Sequence, residues 1–523
     1  MTSGVALSPE VGPATTPPSD TPVDSEPPNR QWFLLRVTGA VVLGVWLIGL
    51  GAYSTTIYHR GFLAEDFATY NQAWTLIGRG HLNPYDTVFH SYSFLKSDFE
   101  LIIWPLALVH LVFPQPIALL WIQDLAVAGS GLVAYLWIVD YLERRRLARW
   151  PSVGVAAVVL TVLVANPGAY QTLSFDFHLE PISTFFVLLA GRDLWLGRHR
   201  RAWIWVGVVL LCGSFAAITL VGLGISALLA GRATRRQGAV LIVVAVAWLA
   251  LISAVGANLG SDIGLYAYLA GRSSLPGSGG IVVLAGGMIA HPSRVIHQIH
   301  ARLPNMYVLV KQVGVIGLAS AWGFGVPVVV MVTNALNSNS GLINQAFQNA
   351  AVFPFVLLGT VMVLVRLAQR FRYGWVPSLV IAVAVSIQAL AYGIPLAPAN
   401  VRWGVSQIGP GPAAQLRKAL ALTPPQAETI TTISIMGRFC ARTYCYWFYP
   451  DGTLPVHSHQ VVFVFDPANE SAIPPSSPTA DLGASAFVRD DLHARVLVDA
   501  DGITAFEWLP PPGTTHVTVS TAP

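Results

Sequence analysis

Charge is what this chain of 523 residues has least of: 11% of them are Asp, Glu, Lys or Arg, while 54% are hydrophobic. A soluble domain carries about 25% charged residues, so the composition excludes water as the main solvent of this fold. Cysteine is nearly absent, with three in the chain, which excludes a scaffold held by many disulfides. Residues 1–30 have almost no large apolar side chains and are rich in Pro, Ser, Thr and Glu. Such a segment buries no core and is expected to be a disordered cytoplasmic tail. It also lacks the short apolar core and cleavage site of a signal peptide, so the first apolar run is expected to stay as an anchor. A solenoid-period repeat is missing as well.

What the chain does have is a series of apolar runs, many near the roughly 20 residues that cross a bilayer. The net charge of +4 and pI near 9.0 do not point to nucleic acid. The arginines sit in short loops between apolar runs, as cytoplasmic loops do under the positive-inside rule. Arg30 and Arg36 place the start of the first span, Trp32 to Ile57, inside. Arg144, Arg145, Arg146 and Arg149 mark the next inner loop, so one span, Pro116 to Tyr141, must separate the two. The stretch Leu101 to Phe113, short and broken by Pro105, is then re-entrant or interfacial.

Spans follow at about 151–168 and 181–196, then a pair of short crossings over 202–230 turning at Gly213 and Ser214, then one at 239–257. Parity requires an even number of crossings between Pro304 and Asn334, read as a tight hairpin or a single re-entrant loop. A span starting near Ala350 comes in to Arg366, Arg370 and Arg372, and the last, about 374–395, goes out. The expected fold is an all-α polytopic domain of about 11 spans over residues 31–398. Its outer loops are 58–115, 169–180 and 258–305. An extracytoplasmic C-terminal domain of small α+β type covers 399–523, with strands at Thr429–Ile435, Val461–Phe465, Arg495–Val498 and Thr504–Trp508. Within it, R-F-C-A-R-T-Y-C leaves Cys440 and Cys445 open as a local disulfide or as two free thiols. Cys212 reads as a small core residue.

Three acidic clusters fall on the outer side. Glu65 and Asp66 open a helix whose stripe Phe67, Tyr70, Trp74 and Ile77 suits the headgroup zone; on pattern alone, N-terminal capping and solvation account for the two acids. Asp98 and Glu100 stand at the mouth of the re-entrant stretch, where they either meet solvent or line a cavity. Asp176, His178 and Glu180 share one face if the segment is extended, a spacing that can hold a divalent cation such as Mg or Mn. A plain interfacial loop is the other reading. Together the clusters favour binding or chemistry at the outer leaflet.

The residues D-F-A-T-Y-N-Q-A-W at Asp66, S-D-F-E-L-I-I-W-P at Ser97, F-D-F-H-L-E-P at Phe175, H-P-S-R-V at His291, Q-N-A-A-V-F-P-F at Gln348 and M-G-R-F at Met436 resemble the bacterial membrane-protein family called domain of unknown function 2079, in its actinobacterial form. That family in turn resembles the GT-C class of membrane glycosyltransferases. The resemblance implies interfacial helices in the first outer loop and a polyprenyl-phosphate-linked sugar as donor. It also implies a cell-wall glycan as acceptor and a catalytic role for Asp66 with Glu65. Asp98, Glu100, Arg294, Arg302 and Gln348 become candidates for substrate binding, and Asp176, His178 and Glu180 for a metal. Where that family commonly carries polar groups, this chain has Asn71, Phe99 and Ser214. A non-catalytic binder or transporter of lipid-linked glycan, or a cell-envelope assembly factor, therefore stays open beside the enzyme.

Overall fold

The computed structural model describes residues 30–520 except 89–92, 98, 175, 256–263, 276–279, 340–342, 344–345, 372, 374, 377, 388–390, 392–406, 449–451 and 470–477. The expected N-terminal tail lies outside the described residues, save Arg30.

Among the described residues, five helices are long and apolar enough to cross a membrane: α1 (Arg30–Arg60), α5 (Ile117–Arg144), α6 (Arg149–Val164, continuing to Leu173 after a break), α11 (Arg232–Val255) and α15 (Val352–Arg370). The apolar windows of α1 and α11 have mean hydropathy 2.1 and 2.7, yet only 22% and 28% of each is buried. Val41, Val45 and Ile48 on α1 and Val243 and Val246 on α11 face outward. An apolar surface of this kind is stable only in lipid. By contrast α5 and α15 are each 67% buried over the same window and form the centre of the bundle.

Around them pack α7 (Pro167–Leu173), α8 (Glu180–Trp195), α9 (His199–Leu211), α10 (Ser214–Ala230), α12 (Gly280–Ala290), α13 (Pro292–Lys311), α14 (Ala321–Leu336) and α16 (Ser378–Ile387). Glycines let backbones approach: a Cβ on Gly222 would stand 2.8 Å from the Gly325 carbonyl oxygen of α14, the small-residue packing that membrane helices use. One end of the bundle is basic. There Asp140 of α5 accepts from Arg36 of α1 (3.0 Å) and from Arg192 of α8 (2.7 Å), tying three helices together.

The segment read as a hairpin between Pro304 and Asn334 is built differently. The polar stretch of the supposed outer loop and the apolar residues after Pro304 form one helix, α13, which passes through the proline. A 3-10 turn, Val315–Ala319, then leads into α14. Neighbouring helices make an internal proline tolerable in a membrane bundle. The re-entrant stretch is a pair of short turns, α4 (Ile103–Ala107) and the 3-10 segment Leu108–Leu111; α3 (Phe94–Ser97) precedes it.

The first-loop helix, α2 (Glu65–Gly78), is not a surface helix. Its apolar stripe meets the bundle, and its polar side is buried as well, with Asn71 and Gln72 both 0% exposed. The cover is the C-terminal domain. That domain is a five-stranded mixed sheet in the order β2 (Cys445–Trp447), β1 (Glu428–Thr431), β4 (Val461–Phe465), β6 (Ile503–Trp508), β5 (Arg495–Ala500), with a separate antiparallel pair β3 (Thr453–Pro455) and β7 (His516–Thr518). Central β4 is buried on both faces. Phe463 and Phe465 pack with Val488 of α18 (Pro478–Asp490), and Val462 and Val464 pack with Leu416 of α17 (Pro410–Leu422). The strand expected over Thr429–Ile435 stops at Thr431 and becomes a 3-10 turn, Ile433–Arg438, because that segment bonds to the bundle instead: Leu63 N–H donates to Ser434 O at 3.0 Å and Gly437 N–H to Leu63 O at 2.8 Å. Cys440 and Cys445 are joined in a disulfide.

Candidate active site at the acidic end

The chain enters α2 with Ala64 at the N-cap and no capping side chain of its own. The missing acceptor comes from Asp176, whose carboxylate accepts from Ala64 N–H at 2.8 and 3.1 Å and faces Phe67 N–H at 3.5 Å. A carboxylate here satisfies orphan amides and meets the positive end of the helix dipole. Burial, with the charge of Glu65 added, pushes the Asp176 carboxyl up to about 7 against the pull of those amides and of Arg438. Burial also raises Glu65, whose Oε2 is enclosed without a hydrogen-bond partner among the described residues.

Two residues on, the chain turns to face the other way. His178 is held by its backbone, N–H to Gln123 Oε1 of α5 at 2.7 Å, and by its ring, stacked 3.5 Å from Phe347 at 5°. Its Nε2 lies 3.6 Å from Asp66 Oδ2 and its Nδ1 3.9 Å from Glu180 Oε2. Both are ion-pair distances, too long for direct hydrogen bonds. Burial pushes the imidazole down to about 3, so it is neutral in the folded protein near pH 7. Asp66 is the open member, its side chain 37% exposed against 7% for His178. Glu180 opens α8 and accepts from Gln348 Nε2 at 2.9 Å. Glu100 abuts the α9–α10 turn: a Cβ on Gly213 would stand 2.9 Å from its Cγ. Glu100 and Glu180 both act electrostatically on Cys212 in that turn.

Asp66, His178, Glu180, Glu100 and Gln348 are thus gathered at one end of the bundle, whereas Asp176 and Glu65 lie beside them at the α2 corner. The expected metal trio is not a single cage. Asp176 is spent on α2 amides, and His178 presents different nitrogens to its two carboxylate neighbours. Among the described residues no group of three His, Cys, Asp or Glu is arranged to hold a metal ion. Arg294 and Arg302 stand further out on α13. Arg294 packs at Gly271, and Arg302 bears on Tyr268, whose hydroxyl donates to Leu336 O at 2.9 Å. From the same end of α14, Asn334 donates to Asn349 Oδ1 at 3.1 Å, beside Gln348. Asp98 lies outside the described residues.

Sequence reasoning passed over three contributors. Gln123 is one, and its place beside Asp124 in an apolar span was a signal. Phe347 is another, and nothing in the sequence marked it. The third is Arg438 from the tail, buried, donating Nη2 to Gly61 O at the α1–α2 corner.

Two cavities run along α6 and α15. An apolar groove of about 600 Å³ is lined by Pro151, Val155, Val158 and Val162 of α6, Val361 of α15 and Leu379 of α16. A separate, smaller cavity of about 100 Å³ is lined by Leu163, Phe353, Thr172 and Pro181, the last adjacent in sequence to Glu180.

The model of a family described as "Predicted membrane protein (DUF2079)" matches residues 63–481. The chain belongs to this family. It is a multi-pass membrane protein, mostly helical, with a strand-containing C-terminal region. Solved structures similar to it include two of one protein. ArnT from Cupriavidus metallidurans bound to undecaprenyl phosphate is 11% identical, covering 92% of this chain and 98% of that one at TM-score 0.48. The apo state of the same protein is 12% identical, covering 91% and 98%, also at 0.48. No curated protein matches this DUF2079 chain in sequence.

Proposed function

We propose that this DUF2079 protein is a GT-C-type membrane glycosyltransferase that moves a sugar from a polyprenyl-phosphate donor to a cell-envelope acceptor on the extracytoplasmic side. The observation that carries the reading is an open carboxylate, Asp66, paired at 3.6 Å with a buried neutral imidazole, in a bundle that also holds an apolar groove along α6 and α15. From Pro151 to Val162 the groove follows α6 for about 17 Å, room for part of an isoprenoid chain entering from the bilayer. The smaller cavity is lined by Pro181, the neighbour of Glu180, and in this reading the phosphate-linked sugar lies there.

In this reading Asp66 is the general base. It takes the proton of an acceptor hydroxyl while that oxygen bonds to the anomeric carbon. The bond from that carbon to the phosphate oxygen breaks, and polyprenyl phosphate leaves with the electron pair. A neutral His178 matters here, because an imidazolium beside Asp66 would make it a weaker base. Glu100, Glu180 and Gln348 offer oxygens and an amide to sugar hydroxyls. The basic stretch of α13, with Arg294 and Arg302, supplies positive charge for the departing phosphate.

The test is mass spectrometry of lipid-linked sugars in a strain lacking the gene, complemented with the wild type or with Asp66→Asn. One donor lipid should accumulate without the gene and clear with the wild type. Asp66→Asn should clear it about 10²- to 10⁴-fold more slowly. If an inserted Asp66→Asn protein clears the lipid at the wild-type rate, Asp66 is not the base. If the donor binds but is never consumed by the wild type, the protein is a carrier of lipid-linked glycan.

A further inference from the structure

The corner between α1 and α2, residues Gly61–Phe67, carries Asp66 and is gripped from two sides. The bundle grips it through Asp176, which accepts from Ala64 N–H. The tail grips it through a short run: Ser434 O accepts from Leu63 N–H, Gly437 N–H donates to Leu63 O, and Gly437 O accepts from Asn71 Nδ2 at 2.9 Å. The approach is so close that a Cβ on Gly437 would stand 2.8 Å from both Leu63 O and the Phe67 ring. At the end of this run Arg438 reaches in, buried, with Nη2 on Gly61 O. Its Nη1 has no hydrogen-bond partner among the described residues. The acidic groups that act on it are, largest first, Tyr58, Asp466 and Asp176, and His59 feels it in turn.

A fully desolvated guanidinium costs several kcal/mol unless its charge is offset. A packing role could be filled by an apolar side chain at no such cost. The partner that makes the charge useful is Asp176, whose ionised form is the better acceptor for the α2 amides. We propose that Arg438 is a positioning residue for the acidic site: from the tail domain it clamps the α1–α2 corner at Gly61 and offsets the buried Asp176 carboxylate, and so holds Asp66 toward His178. The tail is then a structural part of the membrane-side site. This rests on Asp66 being the working group of that site, but the contacts it invokes do not.

The test is amide hydrogen exchange on the full chain in nanodiscs, read at residues 64–67, with the sheet strands β4 and β6 as the folding control. Arg438→Gln should speed exchange at 64–67 about tenfold or more with β4 and β6 unchanged, and Arg438→Lys, which keeps the charge, should restore most of the protection. In a double-mutant cycle with Asp176→Asn, the combined acceleration should be smaller than the product of the single ones. If Arg438→Gln also loosens β4 and β6, the test passes to Arg438→Lys, in which exchange at 64–67 must stay near the wild-type rate and Asp176→Asn must still accelerate it; faster exchange in Arg438→Lys with β4 and β6 intact would overturn the proposal. Wild-type exchange at 64–67 in Arg438→Gln, or single effects that simply multiply, would overturn the proposal. Because the readout is exchange and not transfer, failure of the glycosyltransferase reading leaves it standing, and its own failure leaves that reading intact.

Discussion

At the residue scale, Asp176 and His178 have opposite proton balances, and this gives a pH signature. The carboxyl of Asp176 is pushed up to about 7 from an ordinary value of 3.8. Between those values the folded chain binds a proton that the unfolded chain has lost, so this group's contribution to stability falls as pH rises. The imidazole of His178 is pushed down to about 3 from 6.5. In that window the unfolded chain binds the extra proton, so this contribution is lost as pH falls. From about pH 4 to 6.5 the two slopes cancel. Removing one exposes the other. His178→Asn should lose stability as pH rises from about 4 to 7, and Asp176→Asn should gain it from about 4 to 6.5. The limiting slope is about 1.4 kcal/mol per pH unit. Thermal unfolding of the two variants in detergent across that range checks the opposite signs; parallel curves would refute them. Sequence reading found both residues because an ionisable group beside an apolar run is conspicuous. It placed them on one face, where the chain turns Asp176 to the α2 amides and His178 to Asp66.

At the element scale, the α9–α10 turn decides where Glu100 stands. Gly213 has φ +97 and ψ −168, a region that is essentially glycine's alone and costs roughly 1–3 kcal/mol for a residue with a Cβ, and that Cβ would press on the Glu100 side chain. Gly213→Ala should therefore lower the melting temperature by a few degrees and displace Glu100 from the site. In the complemented strain it should slow donor clearance more than Glu100→Gln does, since the turn also carries α10. Equal clearance by Gly213→Ala and the wild type would show that the turn does not place Glu100. Turns of this kind were legible: the break at Gly213 and Ser214, the span Pro116 to Tyr141 and strand Val461–Phe465 all stand at or within a few residues of their expected places, because periodicity and glycine are local signals. The polar half of α13, around Ser293 to Arg302, was legible as helix; its continuation through Pro304 was not, since a proline in a polar-to-apolar run reads as a boundary and only the surrounding helices make it an interior residue.

At the scale of the whole molecule, the two parts of the chain share an interface that neither part announces alone. The stripe Phe67, Tyr70 and Trp74 was visible on α2, but its polar face read as solvated, because hydrogen-bonding side chains look the same whether water or protein receives them. The receiver is the tail. Gln72 Nε2 donates to Thr87 Oγ1 at 2.8 Å and to Thr443 O at 2.9 Å, and its Oε1 accepts from Thr87 N–H at 2.9 Å. Thr87 Oγ1 in turn donates to Cys445 O at 2.7 Å, next to the disulfide. Leucine at position 72 would fill similar space but strand the Thr87 N–H and the Thr443 carbonyl away from water, at roughly 1–3 kcal/mol for each buried group. A surface helix would gain from the same change, since Leu is as good a helix former as Gln. Gln72→Leu therefore separates the two pictures. With α2 sandwiched, the variant should release the tail from the bundle, seen as proteolytic loss of the C-terminal domain at protease levels that leave the wild type intact, while the helices keep their circular dichroism. Unchanged resistance would mean that the tail does not depend on α2 for its seat, and that its hold on the Asp66 corner is correspondingly weak.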